Sequence, residues 1–203
     1  MVTTLVAASV LAIIQANRES FQISRPQLEA FQIFQRDRVT VIYPWDTSGA
    51  EAWSKGVELP SLDQLKGDLP LIGIKGHAFW TTQRTLAAAT SFKDICYVNL
   101  SYCCRLSDDG IKELTKLKHL QVLVLYRTHA RYGGNLILPM ITGDMAKEMR
   151  QPITDQSLDH ISKMTSLRVL YLGDNDFSEA AMMKLVTLNK LTRLEIDSTQ
   201  ISE

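Results

Sequence analysis

Apolar side chains recur at the first, fourth and sixth positions of four six-residue segments. These are Ile95-Cys96-Tyr97-Val98-Asn99-Leu100, Leu120-Gln121-Val122-Leu123-Val124-Leu125, Leu167-Arg168-Val169-Leu170-Tyr171-Leu172 and Leu191-Thr192-Arg193-Leu194-Glu195-Ile196. The step is 25 residues from Ile95 to Leu120 and 24 from Leu167 to Leu191. Such spacing predicts strands with one buried face, and a fixed period of this size marks stacked units. Three places beyond each sixth position stand Cys103, Thr128, Asn175 and Thr199, small or polar residues able to bond backbone where a strand turns away. An apolar residue, a hydroxyl residue and an acid follow: Leu106-Ser107-Asp108, Ile153-Thr154-Asp155, Phe177-Ser178-Glu179 and Ile201-Ser202-Glu203. Ser or Thr followed by acids is a helix start, because the hydroxyl caps open N–H groups and the acid suits the helix dipole. Ile111, Leu114 and Leu117 then share one helix face, as do Leu158, Ile161 and Met164, and Met182, Leu185 and Leu188. Each unit reads strand, turn, capped helix, return. The expected fold is an α/β solenoid, with a parallel sheet on its concave face and helices on its convex face.

The pattern over Ile95–Glu203 resembles the leucine-rich repeat family, close to Leu-x-x-Leu-x-Leu-x-x-(Asn/Cys/Thr)-x-Ile-(Thr/Ser)-Asp-x-x-Leu. It is similar to the helix-containing forms: cysteine-type or ribonuclease-inhibitor-like repeats and those common in bacteria. A weaker copy starts at Leu69, with Ile72 and Ile74 at the fourth and sixth positions, His77 at the turn, Phe79 next, and Leu86 and Phe92 in the helix. Pro70 and two glycines make that strand poorer, and Trp80-Thr81-Thr82 lacks the acid. The resemblance implies a non-catalytic module that binds a protein or peptide, whose identity it does not name.

The repeat domain is expected over 67–203. Leu120 to Leu167 spans 47 residues, so one unit carries an insert at about 129–152, either part of a binding face or a tolerated surface loop. Residues 1–66 are expected to form an irregular cap, as terminal units must cover an apolar flank. Within it, Pro26 to Phe34 predicts a helix with Leu28, Phe31 and Phe34 at helical spacing, and Arg38 to Tyr43 predicts a strand stopped by Pro44. Trp45 to Gly56 reads as loop, and Leu62 and Leu65 could form a short helix. The apolar run Val2 to Ile14 is too short to span a bilayer comfortably and has no basic residue before it. Residues 1–16 are thus either a capping helix or a targeting or anchoring segment. At the other end, Leu191 to Ile196 reads as an open edge strand. That permits self-association, and it supports an alternative function as a structural or scaffolding subunit of a larger or membrane-tethered assembly.

Composition narrows the function classes. Lys plus Arg and Asp plus Glu both total 22, so bulk charge gives no attraction for nucleic acid. Three cysteines, two of them adjacent, make a poor disulfide framework and suit buried small side chains in a reducing compartment. Cytoplasmic placement follows unless 1–16 exports or anchors the chain. His77, His119, His129 and His160 are not spaced as metal ligands, Gly133-Gly134 lacks the phosphate-loop spacing, and Cys103-Cys104 is not a CxxC pair. No catalysis, cofactor or metal is expected.

The interleaved strand positions are expected to face outward and to stack into columns. One column reads Gly73, Asn99, Val124, Tyr171 and Glu195. The next reads Lys75, Ser101, Tyr126, Gly173 and Asp197, and a third Gly76, Tyr102, Arg127, Asp174 and Ser198. Tyr and Arg are the types enriched at interface hot spots. The candidate partner-binding residues are therefore Tyr97, Asn99, Tyr102, Val124, Tyr126, Arg127, Arg168 and Tyr171, rimmed by the 129–152 insert. The alternative is that tyrosine is there for its strand propensity alone.

Overall fold

A computed structural model of the 203-residue chain describes residues 21–42, 67–68, 71–128 and 153–196. The expectations for 1–16, for the loop and short helix within 45–65, for the 129–152 insert and for 197–203 lie outside the described residues. The elements are β1 (Phe21–Gln22), α1 (Arg25–Arg36), β2 (Thr40–Ile42), β3 (Gly67–Asp68), β4 (Gly73–Lys75), α2 (Gln83–Ala89), β5 (Tyr97–Asn99), α3 (Asp108–Leu114), β6 (Val122–Val124), α4 (Asp155–Ile161), β7 (Val169–Tyr171), α5 (Glu179–Met182), a 3-10 helix (Met183–Thr187) and β8 (Arg193–Glu195). The fold is α/β. Six strands form one sheet in the order β2-β4-β5-β6-β7-β8, parallel from β4 to β8, with β2 antiparallel to β4. β1 and β3 form a separate parallel pair. Parallel neighbours need a crossover, and here α2, α3, α4 and α5 supply one between each successive pair.

The register places Ile74, Val98, Leu123, Leu170 and Leu194 abreast. The first four are fully buried, as are Leu71, Ile95, Leu120 and Leu167 at the strand entries. Leu86, Phe92, Ile111, Leu114, Leu158, Ile161, Leu185 and Leu188 meet them from the helical layer. Each such side chain contributes about 1.5–3 kcal/mol by burial, so this one core dominates the stabilisation.

The register also corrects the earliest copy of the pattern by two residues. Lys75, not Gly73, stands beside Asn99, and Leu71, Ile74 and Gly76 take the places given to Leu69, Ile72 and Ile74. Gly76 N–H donates to Asn99 C=O at 2.8 Å, as Leu100 N–H does to Val124 C=O. A side chain fails at 76 because a Cβ there would lie 2.8 Å from Thr81 Oγ1 and 2.9 Å from Cys103 Sγ. Neighbouring residues thus fill the space that leucine fills in later units. The turn position accordingly falls on Phe79 rather than His77.

α1 starts at a reciprocal cap, with Ser24 N–H donating to Gln27 Oε1 at 3.0 Å and Pro26 in the first turn. It ends where Arg38 takes φ 53° and Val39 N–H reaches back to Phe34 C=O at 2.9 Å, the paired bonding that satisfies last-turn carbonyls. Its apolar face carries Phe31 and Phe34 against Phe92, with ring centroids 5.1 and 5.9 Å apart. The predicted strand is found at Thr40–Ile42 and the predicted helix at Arg25–Arg36. The expected third helix is split into α5 and the 3-10 turn.

The caps do more than start helices. Ser107, Thr154 and Ser178 each accept a backbone N–H of their own first turn at 3.2 Å. The acids after the first two of these caps reach to the next unit. Asp108 accepts from Thr154 N–H at 2.8 Å and Thr154 Oγ1 at 2.7 Å, and also from Ser157 Oγ. Asp155 accepts from Ser178 N–H at 2.9 Å and Ser178 Oγ at 2.6 Å. A carboxylate therefore ties the start of α3 to that of α4, and the start of α4 to that of α5. α2 has Gln83 in place of the acid, and there the helices pack closely: a Cβ at Gly110 would lie 3.3 Å from Leu86 Cδ1 and 3.4 Å from Gln83 Cα.

Candidate functional site

The eight candidate residues divide between the sheet face and one rim. Tyr97, Asn99, Val124 and Tyr171 lie on β5, β6 and β7. Tyr102, Tyr126 and Arg127 lie in the turns just past the C-terminal ends of β5 and β6. Arg168 precedes β7, at the opposite ends of the parallel strands, so it does not belong with Arg127. Its backbone carbonyl there accepts Thr192 N–H at 2.8 Å and Arg193 N–H at 3.0 Å.

The sheet face departs from expectation. Tyr97 is only 6% exposed and forms a second apolar cluster with the buried Val122 and Val169, against Ile42, Val124 and Tyr171. An alternating pattern fixes which side chains leave the main core, but it does not say what covers them. Tyr97 lies over Gly73, where a Cβ would come within 3.1 Å of its Cβ and Cδ1. Its hydroxyl accepts from Asn99 Nδ2 at 3.0 Å, while Asn99 Oδ1 accepts Ser101 N–H at 2.9 Å. Burial raises the Tyr97 phenol above its ordinary range, and the Asn99 bond offsets part of that. Tyr97 and Asn99 are thus engaged with each other in the sheet. Tyr171 is half-buried, with the Arg193 guanidinium 5.1 Å from its ring centre.

At the rim the candidates converge. Tyr102, Arg127 and Asp174 occupy equivalent places in three successive units: Tyr102 N–H donates to Tyr126 C=O at 2.8 Å, and Arg127 N–H to Gly173 C=O at 3.1 Å. All three adopt the left-handed conformation, with φ of 63°, 53° and 55°. Just past them, Thr128 and Asn175 are buried and bonded to each other. Thr128 Oγ1 donates to Asn175 Oδ1 at 2.8 Å, and Asn175 Nδ2 to Leu172 C=O at 3.0 Å. This is the backbone-bonding role expected of the turn residues.

These left-handed residues and Tyr126 carry the chemistry of the rim. The Tyr102 and Tyr126 rings meet edge to face at 5.7 Å, and the Arg127 guanidinium sits 5.2 Å from the Tyr126 ring. Arg127 Nε also donates to Asp174 Oδ2. The Asp174 carboxylate raises the Tyr126 phenol above its ordinary range and stabilises the Arg127 charge. Asp174 is itself buried, while Tyr102 is 51% exposed. Asp174 was absent from the sequence-based set. Its position in a column with Tyr102 and Arg127 was the available signal.

The cysteines are buried thiols, as composition suggested. Burial pushes Cys96 and Cys103 up to about 12, and Cys104 upward as well. Such thiols are poor nucleophiles. Among the described residues no group of three His, Cys, Asp or Glu is placed to hold a metal ion, and no helix is long and apolar enough to cross a membrane. Neither a protein-family model nor any curated protein matches the sequence.

Proposed function

We propose that the chain is a leucine-rich repeat solenoid that binds a protein or peptide without catalysis, through the rim formed by Tyr102, Tyr126, Arg127 and Asp174. The parallel register at steps of 24 and 25 residues supports the solenoid reading. So do the capped helix in each crossover and the recurring turn at Cys103, Thr128 and Asn175.

The observation that carries the binding reading is the use of Tyr and Arg where the backbone is left-handed. A non-glycine residue in that region costs roughly 1–2 kcal/mol, and glycine would relieve it. Strain kept at successive turns points to side chains retained for a purpose. Together with Tyr126, these side chains form an amphipathic surface: an edge-to-face tyrosine pair backed by a guanidinium held by a buried carboxylate. Tyrosines fixed in this way lose little entropy on binding and offer both ring faces and hydroxyls, which suits a peptide or protein surface.

The test is quantitative affinity capture with the full chain as bait, comparing wild type with Tyr102→Ala/Tyr126→Ala, followed by affinity measurement on the captured partner. The double variant should lose the partner while keeping its circular dichroism. Unchanged capture and affinity would overturn the rim as the binding surface.

A further inference from the structure

The large sheet ends at β8, and among the described residues no strand pairs beyond it. Arg193 N–H donates to Arg168 C=O at 3.0 Å, and Glu195 C=O accepts Leu172 N–H at 2.8 Å, so both residues turn their backbone groups toward β7. Strand alternation then directs the N–H and C=O of Leu194 away from the sheet. Leu194 continues the column of Ile74, Val98, Leu123 and Leu170, all fully buried, yet it is 43% exposed. In the 3-10 helix that precedes β8, Met183 and Val186 are 63% and 76% exposed. On the opposite sheet face Arg193 and Glu195 flank Leu194, their side chains 3.3 Å apart.

We propose that a second copy of this chain pairs with β8, antiparallel, about a two-fold axis that passes by Leu194 normal to the sheet. The segment is self-complementary in that register. Leu194 of each copy faces Leu194 of the other, and each donates and accepts one main-chain hydrogen bond. Arg193 of each copy stands opposite Glu195 of the other, in the closer non-hydrogen-bonded pairing where side chains interact most directly. The axis keeps both helical layers on one side, so the core ends that Leu194 marks among the described residues meet and become one interior. A head-to-tail contact would instead set β8 against β2, where α1 already buries Phe31 and Phe34 and, among the described residues, the column ends in the fully buried Ile74 with nothing exposed to match Leu194. The interface is isologous and closes at two copies. The sheet already accepts an antiparallel strand at its other edge, where β2 pairs with β4. This inference rests on the edge alone and is independent of the tyrosine rim.

Sedimentation velocity of the full chain over a concentration series tests it. Wild type should move from monomer to dimer and no further. Glu195→Arg sets arginine against arginine at both symmetry-related pairs and should weaken association about tenfold or more. Adding Arg193→Glu to that variant should restore the dimer, since the pairs are then reversed but intact. Leu194→Lys should leave a monomer. Circular dichroism confirms that each variant is folded, and if Leu194→Lys is not, the charge-swap pair still decides. Monomers up to the solubility limit, polymers longer than two, a dimer indifferent to these changes, or a double swap that fails to restore it would each overturn the proposal.

Discussion

At its N-terminal end the sheet is closed: α1 lays Phe31 and Phe34 over the core against Phe92, and β2 runs antiparallel along the edge. At its other end, among the described residues, the same core column stops at Leu194 with much of its side chain in solvent, and the helix before it has loosened into a 3-10 turn. The main-chain pairing is as regular at β7–β8 as at β5–β6. What differs is how much apolar surface lies beyond the last strand. Regular backbone geometry therefore does not report local stability; the burial of the side chains on it does.

The sharpest test of that contrast is a pair of truncations. Phe34→Ala should destabilise the protein by about 3–5 kcal/mol, the range for a large buried ring. Leu194→Ala should cost under about 1 kcal/mol, since its side chain already meets water. Urea denaturation of both, at a concentration where the chain is monomeric, checks this. Equal losses would mean that the two ends are not energetically distinct.

The carboxylate ties give a second, smaller comparison. Asp108→Ala removes three hydrogen bonds between α3 and α4 and should cost about 1–3 kcal/mol, with faster hydrogen exchange at the Thr154 amide. Glu179→Ala, at the matching place in α5, should stay within about 0.5 kcal/mol, because that residue is exposed and no bond of this kind to a further described unit depends on it. Slow exchange at Thr154 in the Asp108 variant would show that packing alone sets the helix spacing.

A third test uses the thiols. Cys96 and Cys103 are held up to about 12, well above an unfolded thiol at about 8.5. A raised folded value means that the stabilisation is complete below the unfolded value and is lost as pH rises toward 12. Stability should therefore fall with pH above about 9, and Cys96→Ser/Cys103→Ser should flatten that fall. A thiol reagent at neutral pH should label the native protein slowly and the denatured protein fast. Rapid native labelling would contradict this burial. The smallest effect is spectroscopic. Asp174→Asn should let the Tyr126 phenol ionise at lower pH, seen as an earlier ultraviolet transition, because the carboxylate that raises it is gone. An unmoved transition would remove Asp174 from the rim's hydrogen bonding.

From Ile95 onward, much of this architecture was legible in the sequence. The apolar triplets gave the strand register, and Ser107, Thr154 and Ser178 gave the helix starts, because caps and alternation are local physics. The earliest strand was misaligned because glycine occupies position 76, where the pattern calls for leucine. Only three-dimensional packing shows Thr81 and Cys103 filling that space. For the same reason Tyr97 read as an outward, available residue: strand alternation does not reveal the second cluster with Val122 and Val169. Tyr126 and Arg127 were legible as chemistry, but Asp174, 47 residues from Arg127, entered only once the turns were stacked.

The bonds flanking the 129–152 segment have a consequence for how the chain may be divided. On one side Thr128 is fixed by Asn175, and on the other Thr154 is fixed by Asp108. β6 and β7 pair residue for residue across the same interval. Register at this junction is held by contacts between the two halves. A cut within 129–152 should therefore yield two fragments that reassemble when mixed. The same site should accept an inserted reporter domain, because lengthening a connection between fixed ends costs only about 0.6 kcal/mol per doubling.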